Sequence, residues 1–152
     1  MSEIKDTNPK DSVGVKKAPM HHLPVRVMME LGLSMLEGAL KYGSHNYRKA
    51  GVRASVYYDA LWRHIGAWWE GEDIDPESGV HHIIKAMTCL LVLRDSQHSG
   101  NWVDDRPMRI GGGALIQELN KMAAELIDKY PNPEEPYLEI YGGQKNASDT
   151  SQ

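Results

Sequence analysis

A thin polar line on an otherwise apolar helix is the feature that most constrains the fold of this chain. Residues 23–42 are expected to form a helix, because Pro24 suits a first turn and Gly43 suits a C-cap. The polar side chains of this helix follow one stripe at i, i+4, i+7 and i+11: Glu30, Ser34, Glu37 and Lys41. A surface helix has a wide polar face, so the pattern predicts a buried helix whose carboxylates face an internal site or a partner subunit. The alternative is a narrow solvent edge on which Glu37 and Lys41 form an i, i+4 pair.

Three further helices are predicted along the chain. Residues 54–70 and 80–96 form the second and third, with Ser55 and Ser78 as candidate N-caps. A fourth helix covers residues 114–130, where apolar side chains recur at helical spacing: Leu115, Leu119, Met122 and Leu126. No run alternates in a way that predicts a strand. The predicted fold class is therefore all-α, a bundle of about four main helices.

The 152 residues are expected to form one domain with less ordered ends. Residues 1–19 are charged and lack apolar periodicity, so we interpret them as a flexible N-terminal segment. Residues 20–130 form the helical domain that carries the functional site, with a polar loop at residues 44–53. Residues 131–152 are rich in Pro, Gly, Asn and Ser and are interpreted as a C-terminal tail.

Composition narrows the functional classes. The net charge is −4, and Lys and Arg are interspersed with Asp and Glu, so no basic face of the size that binds nucleic acid is expected. No apolar run approaches the roughly 20 residues of a membrane helix, and the polar start does not resemble a signal peptide. We therefore expect a cytoplasmic protein. Its single cysteine, Cys89, excludes an intramolecular disulfide and is expected to be a core thiol. Phe is absent, so Trp, Tyr, Met and Leu are expected to fill the core.

The loop at residues 71–79 concentrates negative charge between two apolar helices. Counting Glu70, which precedes it, five carboxylates fall within eight residues, and His81 and His82 follow. A solvated acidic loop does not need such a setting. Mg²⁺ and Mn²⁺ prefer several oxygen ligands held close together. The segment therefore indicates a site for a hard divalent cation, whose natural partner is a phosphate chain.

The second and third helices add polar side chains that are candidates for the functional site, and each has a functional and a structural interpretation. Arg63 is suited to phosphate binding, or it forms only a surface pair with Asp59. His64 contacts a base or a phosphate, or it is structural. His82 is expected to point inward, either as a metal ligand or base or as a buried imidazole bonded to a carboxylate of the loop.

Several short motifs in one order resemble the phage dATP/dGTP diphosphohydrolase family. They are residues 8–11 (Asn-Pro-Lys-Asp), 38–43 (Gly-Ala-Leu-Lys-Tyr-Gly), 46–48 (Asn-Tyr-Arg), 57–59 (Tyr-Tyr-Asp), 63–64 (Arg-His), 68–79, and 104–107 (Asp-Asp-Arg-Pro). That family is related in function to the MazG-like all-α nucleoside triphosphate pyrophosphohydrolases, to which MazZ-type enzymes belong. The resemblance covers residues 8–107 and implies a MazG-like fold.

The resemblance also implies an activity. dGTP and dATP would be cleaved between the α and β phosphates, with Mg²⁺ or Mn²⁺, to a deoxynucleoside monophosphate and pyrophosphate. In phages that replace adenine by 2-aminoadenine, such an enzyme supplies dGMP and depletes dATP in the infected bacterial cell. A homodimer or homotetramer is expected, and the near-completely apolar first helix agrees with this.

The ligand pattern departs from that of MazG-like enzymes. These usually carry Glu-Glu-x-x-Glu on one helix and Glu-x-x-Asp on the next. Here Ser34 stands where a middle ligand of the first helix would lie. The implied ligands for two or three ions come from the first helix and the acidic loop: Glu30, Glu37, Glu72, Asp75 and Glu77.

The resemblance and the charge pattern together suggest roles for other residues. Glu37, Arg63 and His82 are the predicted catalytic residues, with Glu37 accepting the proton of the attacking water. The predicted nucleotide-binding residues are Lys10, Lys16, Lys17, Lys41, Asn46, Arg48, Arg63 and His64. Asn46 is the candidate for a contact with the base, and the three N-terminal lysines either close over the nucleotide or belong to a disordered tail.

Two other hypotheses remain open at this stage. An HD-type dNTP triphosphohydrolase would use His64, His82 and Asp95, although the chain has no His-Asp dipeptide. A non-enzymatic helical phage protein would instead present the acidic loop to a host partner. Product identity separates the first from a diphosphohydrolase, and indifference to Mn²⁺ and nucleotides would identify the second.

Overall fold

The computed structural model describes residues 8–138 and divides the chain into two compact units, Met1–Arg106 and Pro107–Gln152. The helices of the first unit are α1 (Pro9–Gly14), α2 (Val25–Tyr42), α3 (Asn46–Ala50), α4 (Ala54–Trp69) and α5 (His82–Ser99). The second unit contains α6 (Gly112–Lys129). The prediction of an all-α fold with four main helices, here α2, α4, α5 and α6, is confirmed.

Two predicted helix caps are wrong because α4 and α5 begin at other residues. Arg53 is the N-cap residue of α4, and Ser55 lies inside the helix, where its amide and hydroxyl both donate to Asp105. The N-cap of α5 is His81, whose ring accepts a hydrogen bond from the Ile83 amide at 3.2 Å. Gly43 ends α2 with φ of 93°, as predicted.

The predicted polar loop at 44–53 contains α3 and a short strand that the sequence pattern did not indicate. Strand β1 (Val52–Arg53) pairs in parallel with β2 (Trp102–Val103), and Val52 is opposite Trp102. The side-chain amide of Asn101 donates to the carbonyl groups of Arg48 and Lys49. A two-residue strand is too short to show an alternating pattern.

The core of the first unit lies where α3, the strands and the C-terminal half of α5 meet. Tyr47, Val52 and Val92 form its buried cluster, and partly buried side chains pack around it: Met35, Tyr57, Leu91, Leu93 and Trp102. Helix α5 is central, since it packs against α2, α3 and α4. The prediction that tryptophans fill the core is wrong for Trp62 and Trp69, which are exposed.

Helix α2 turns Ser34 and Glu37 of its polar stripe toward α5 and most of its apolar side chains outward. Ser34 is 2% exposed and bonds to the Thr88 hydroxyl of α5, with 2.7 Å between the oxygens. Met29 and Leu40 are 68% and 80% exposed. The prediction of a buried helix is therefore wrong for the single chain, because most apolar side chains of α2 are exposed.

The structure describes part of each chain end. Helix α1 lies within the segment predicted to be flexible, and Asn8 caps it by accepting a hydrogen bond from the Lys10 amide at 3.0 Å. The compact units divide at Arg106, whereas the predicted helical domain extends to residue 130. The predicted tail is described only up to residue 138, where it contains no helix or strand, and residues 139–152 lie outside the described part. Among helices of residues 8–138, none has the length and apolar composition needed to cross a membrane.

Candidate active site

The acidic loop, residues 71–79, folds back onto the start of α5. The Asp75 amide donates to the Val80 carbonyl at 2.9 Å, and the His82 amide donates to the Asp73 carbonyl at 2.8 Å. Gly79 adopts φ of 71°, a left-handed conformation that favours glycine. These backbone bonds hold the carboxylates of the loop beside α5.

Asp75 is the most firmly held carboxylate of the acidic loop. It accepts hydrogen bonds from both the amide and the hydroxyl of Ser78. Burial would raise the pKa of Asp75, but these bonds and one from the Glu77 amide outweigh burial and lower that pKa. Asp75 is therefore ionised at neutral pH.

A hydrogen-bonded chain connects the acidic loop with α5 and α4. Glu72 accepts from Nε2 of His82 at 2.8 Å, and Nδ1 of His82 lies 2.9 Å from Nδ1 of His64. His82 is only 4% exposed. The inward orientation predicted for His82 and its bond to a loop carboxylate are both confirmed.

The hydrogen bonds that link Glu72, His82 and His64 constrain which ring nitrogens of the two imidazoles carry protons. Glu72 as a carboxylate only accepts, so Nε2 of His82 carries a proton. With a neutral His82, its Nδ1 accepts the Nδ1 proton of His64 and leaves a lone pair on Nε2 of His64. Burial, followed by the proximity of His82, lowers the pKa of His64. His64 is therefore neutral at neutral pH and able to accept a proton.

A second group, the lysine–carboxylate cluster, consists of Glu37, Lys41, Glu77 and Lys85. One oxygen of Glu37 contacts the Lys41 ammonium at 2.6 Å, and its other oxygen accepts from Lys85. Lys41 also donates to Glu77 of the acidic loop at 3.1 Å. Burial would raise the pKa of Glu37, but the two lysines outweigh this and lower it. The hydrogen bonds to Glu37 and Glu77 raise the pKa of Lys41.

The two groups are adjacent and form one candidate active site. His82 and Lys85 lie one turn apart on α5, and Glu72, Asp75 and Glu77 share the acidic loop. The site lies among α2, α4, α5 and this loop. Its four carboxylates exceed its two lysine charges, which suits a site for a cation and a phosphate chain.

The donor chemistry fits a hard divalent cation, although the carboxylates are not gathered around one point. Within residues 8–138, no three His, Cys, Asp or Glu side chains are placed close enough together to hold a metal ion. Glu37 and Glu77 are bound to lysines, and Glu72 is bound to His82. Metal binding would therefore require these carboxylates to change partners.

Comparison with known proteins identifies the family. A family model described as dATP/dGTP diphosphohydrolase, N-terminal, matches residues 7–106. The chain belongs to this family. It is therefore a hydrolase that acts on nucleoside triphosphates. The match ends at the boundary of the first compact unit and so includes the whole candidate active site. No curated protein and no solved structure matches the chain.

One predicted metal ligand of the enzyme lies apart from the site. Glu30 bonds to Arg26 at 3.0 Å on the first turns of α2. It precedes Glu37 by seven residues, a rise of about 10 Å along the helix. Among the described residues, no recorded bond links Glu30 to the acidic loop. The other four predicted ligands, Glu37, Glu72, Asp75 and Glu77, do lie at the site.

Arg48 and Asn46 belong to a different end of the enzyme. Arg48 forms two hydrogen bonds with Asp95, at 2.7 and 2.9 Å. Asp95 follows Lys85 by ten residues of α5, about 15 Å along the axis. Asn46 is on the same short helix, α3, as Arg48. The structure therefore does not bring these two predicted nucleotide-binding residues to the site.

The arrangement also disfavours the HD-type constellation. His64 and His82 touch, but Asp95 follows His82 by thirteen residues, about 20 Å along α5. The bidentate bond to Arg48 occupies both oxygens of Asp95. The three residues therefore cannot bind one metal ion in this arrangement.

The remaining predicted cations are exposed. Arg63 lies on α4, and its charge acts on His64. Within residues 8–138 its guanidinium forms no hydrogen bond or ion pair, so the pair with Asp59 that the sequence suggested as an alternative is not formed. Lys10, Lys16 and Lys17 are exposed, and the described residues include no bonded partner for their ammonium groups.

Lys85 is the site residue that sequence reasoning missed. The signal available was the first helix, because its inward carboxylates required a cation on the facing helix. Lys85 follows His82 by three residues and so lies on the same side of α5.

Proposed function

We propose that the enzyme hydrolyses dGTP and dATP between the α and β phosphates, in a reaction that requires Mg²⁺ or Mn²⁺. The products are the deoxynucleoside monophosphate and pyrophosphate. The observation that supports this most is the meeting of four carboxylates, two lysines and two hydrogen-bonded histidines at one place. Membership of the diphosphohydrolase family supports the choice of substrates.

The residues that would hold two or three metal ions are Glu37, Glu72, Asp75 and Glu77. Bound divalent ions supply neutralisation of the triphosphate charge and polarisation of its oxygens. Lys41, which contacts two of these carboxylates, and Arg63, whose charge acts on His64, are proposed to bind phosphate oxygens. Lys10, Lys16 and Lys17 remain candidates for closing over the nucleotide.

The structure changes the residue that we favour as proton acceptor. The lowered pKa of Glu37 makes it a weaker base than an ordinary carboxylate. His64 is neutral and has a ring nitrogen free of the bond to His82. We infer that His64 accepts the proton of the attacking water, while His82 and Glu72 hold its ring in place.

The wider role follows from the family resemblance. We propose that the enzyme acts in the cytoplasm of an infected bacterial cell, where it supplies dGMP for synthesis of 2-aminoadenine by a phage. A homodimer or homotetramer is proposed because the outward apolar side chains of α2, such as Met29 and Leu40, are exposed in one chain.

Product analysis tests the proposed reaction. The full chain is incubated with dGTP or dATP, with Mg²⁺ or Mn²⁺ and then with excess chelator. We expect dGMP or dAMP plus pyrophosphate, and no turnover with chelator. Glu72→Gln and Glu77→Gln should lower kcat at least tenfold, whereas Glu125→Gln in α6 should not. Deoxynucleoside plus triphosphate would favour the HD-type reaction, and no turnover of any nucleotide would refute the proposal.

A further inference from the structure

Lys85 differs from an ordinary surface lysine in its exposure. Its side chain is 18% exposed, and the Glu37 side chain that it contacts is 21% exposed. Lys121 of α6, by comparison, pairs with Glu125 across 3.9 Å, and these side chains are 79% and 66% exposed. Enclosing an ammonium group is costly unless a specific anion compensates for the lost water. Lys85 is therefore built into the site and needs an anionic partner there.

Glu37 provides this anion in a way that resembles a phosphate group. Each of its two oxygens binds a different lysine, Lys41 on α2 and Lys85 on α5. A phosphate presents several oxygens to cationic donors in the same manner. Lys85 also lies in the second turn of α5, near a helix N-terminus that favours negative charge.

These contacts pose a conflict for the proposed reaction. Glu37 competes poorly for a divalent cation while each of its oxygens binds an ammonium group, and each lysine has one fewer N–H donor for phosphate while Glu37 binds it. Both conflicts disappear together if each side chain changes partner in the same event. A nucleotide with its cation brings the two partners needed, one negative and one positive.

We propose that Lys85 is a phosphate-binding residue, and that Glu37 exchanges Lys85 for a divalent cation when Lys85 exchanges Glu37 for a phosphate. This inference rests on the proposed function, because it concerns the same site. The exchange predicts that metal and polyphosphate promote each other's binding, since each releases the side chain that the other needs. It also explains why the carboxylates are not preassembled around a metal.

Removing Lys85 should change the two affinities in opposite directions. In Lys85→Met, Glu37 loses one competing cation, so Mn²⁺ added alone should bind about threefold or more tightly. Inorganic pyrophosphate in metal-free buffer should bind about tenfold more weakly, as expected for the loss of one charge-assisted hydrogen bond. A purely structural ion pair would weaken both or neither.

The experiment uses the full chain with Mn²⁺ alone, pyrophosphate alone, and both together. Free Mn²⁺ is followed by its electron paramagnetic resonance signal, and pyrophosphate by calorimetry. Lys121→Met is the matched control, since it removes the same charge outside the site and should change neither affinity. Lys85→Arg keeps the charge and should retain pyrophosphate affinity within about threefold.

Glu37→Gln gives a reciprocal test if Lys85→Met does not fold. It should weaken Mn²⁺ binding and tighten metal-free pyrophosphate binding, because Lys85 loses its carboxylate partner and Lys41 keeps only its bond to Glu77. An unchanged pyrophosphate affinity in Lys85→Met, or a loss of Mn²⁺ affinity with it, would overturn the inference. These results are separate from the proposed function, which fails only if the wild-type chain does not convert dGTP to dGMP and pyrophosphate.

Discussion

Replacing His82 by alanine tests the hydrogen-bonded chain at the centre of the site. The imidazole is 4% exposed and bonds to Glu72 at 2.8 Å and to His64 at 2.9 Å. Each bond is worth about 1 kcal/mol net, and the buried ring adds about 1 kcal/mol of packing. His82→Ala should therefore lower the free energy of unfolding by about 3 kcal/mol.

Urea unfolding followed by tryptophan fluorescence measures this loss. All four tryptophans lie in the unit Met1–Arg106, so the signal reports the unit that contains His82. At an m-value of about 2 kcal/mol/M, the midpoint should fall by about 1.5 M. His98→Ala, an exposed histidine near the end of the same helix, is the control and should change the midpoint little. A loss below about 1 kcal/mol for His82→Ala would refute the assigned hydrogen bonds.

Three further predictions concern other positions. Burial lowers the pKa of His64 in the folded chain, so the unfolded chain binds a proton at His64 more readily. The free energy of unfolding should therefore decrease as the pH falls below about 6.5, the pKa of an unfolded histidine. His64→Gln should make this decrease between pH 7 and 5 smaller in urea titrations. Gly51→Ala should lower the free energy of unfolding by about 2 kcal/mol, because φ is 76° and a Cβ would lie 2.8 Å from the Asn101 side chain. Gly66→Ala is the control and should not lower it in the same assay, because a Cβ there would meet open space. Arg48→Met should lower the melting temperature but leave the KM for dGTP unchanged, and a raised KM would contradict its structural role.

The main helices were predictable because their signal is local. Apolar side chains at three- and four-residue spacing define a helix regardless of what the rest of the chain does. Gly43 ended the first helix as expected, since its left-handed conformation is also a local property. The failed caps show the limit of this reasoning. Ser55 was a good cap by type, but Asp105, fifty residues away, binds its hydroxyl instead.

The sequence predicted most of the carboxylates at the candidate site but not which side chains bond to one another there. The acidic loop and the stripe of α2 indicated where the carboxylates would meet, and four of the five predicted ligands do lie there. The bond between His64 and His82, and the contact of Lys85 with Glu37, left no pattern within one element. Likewise, Arg48 was assigned to the nucleotide by charge, but its partner is Asp95 at the other end of α5.

The sequence by itself determined where the four main helices lie, which residues carry charge, and that carboxylates concentrate in the loop before α5. Only the tertiary structure decided which charged side chains form pairs, because the pairs depend on how α2 and α4 are rotated and shifted against α5. A rotation of α2 by one residue, about 100°, would move Glu37 away from Lys85 without changing any local propensity. The hydrogen bond between Ser34 and Thr88 is formed in that rotation, together with the lysine–carboxylate cluster.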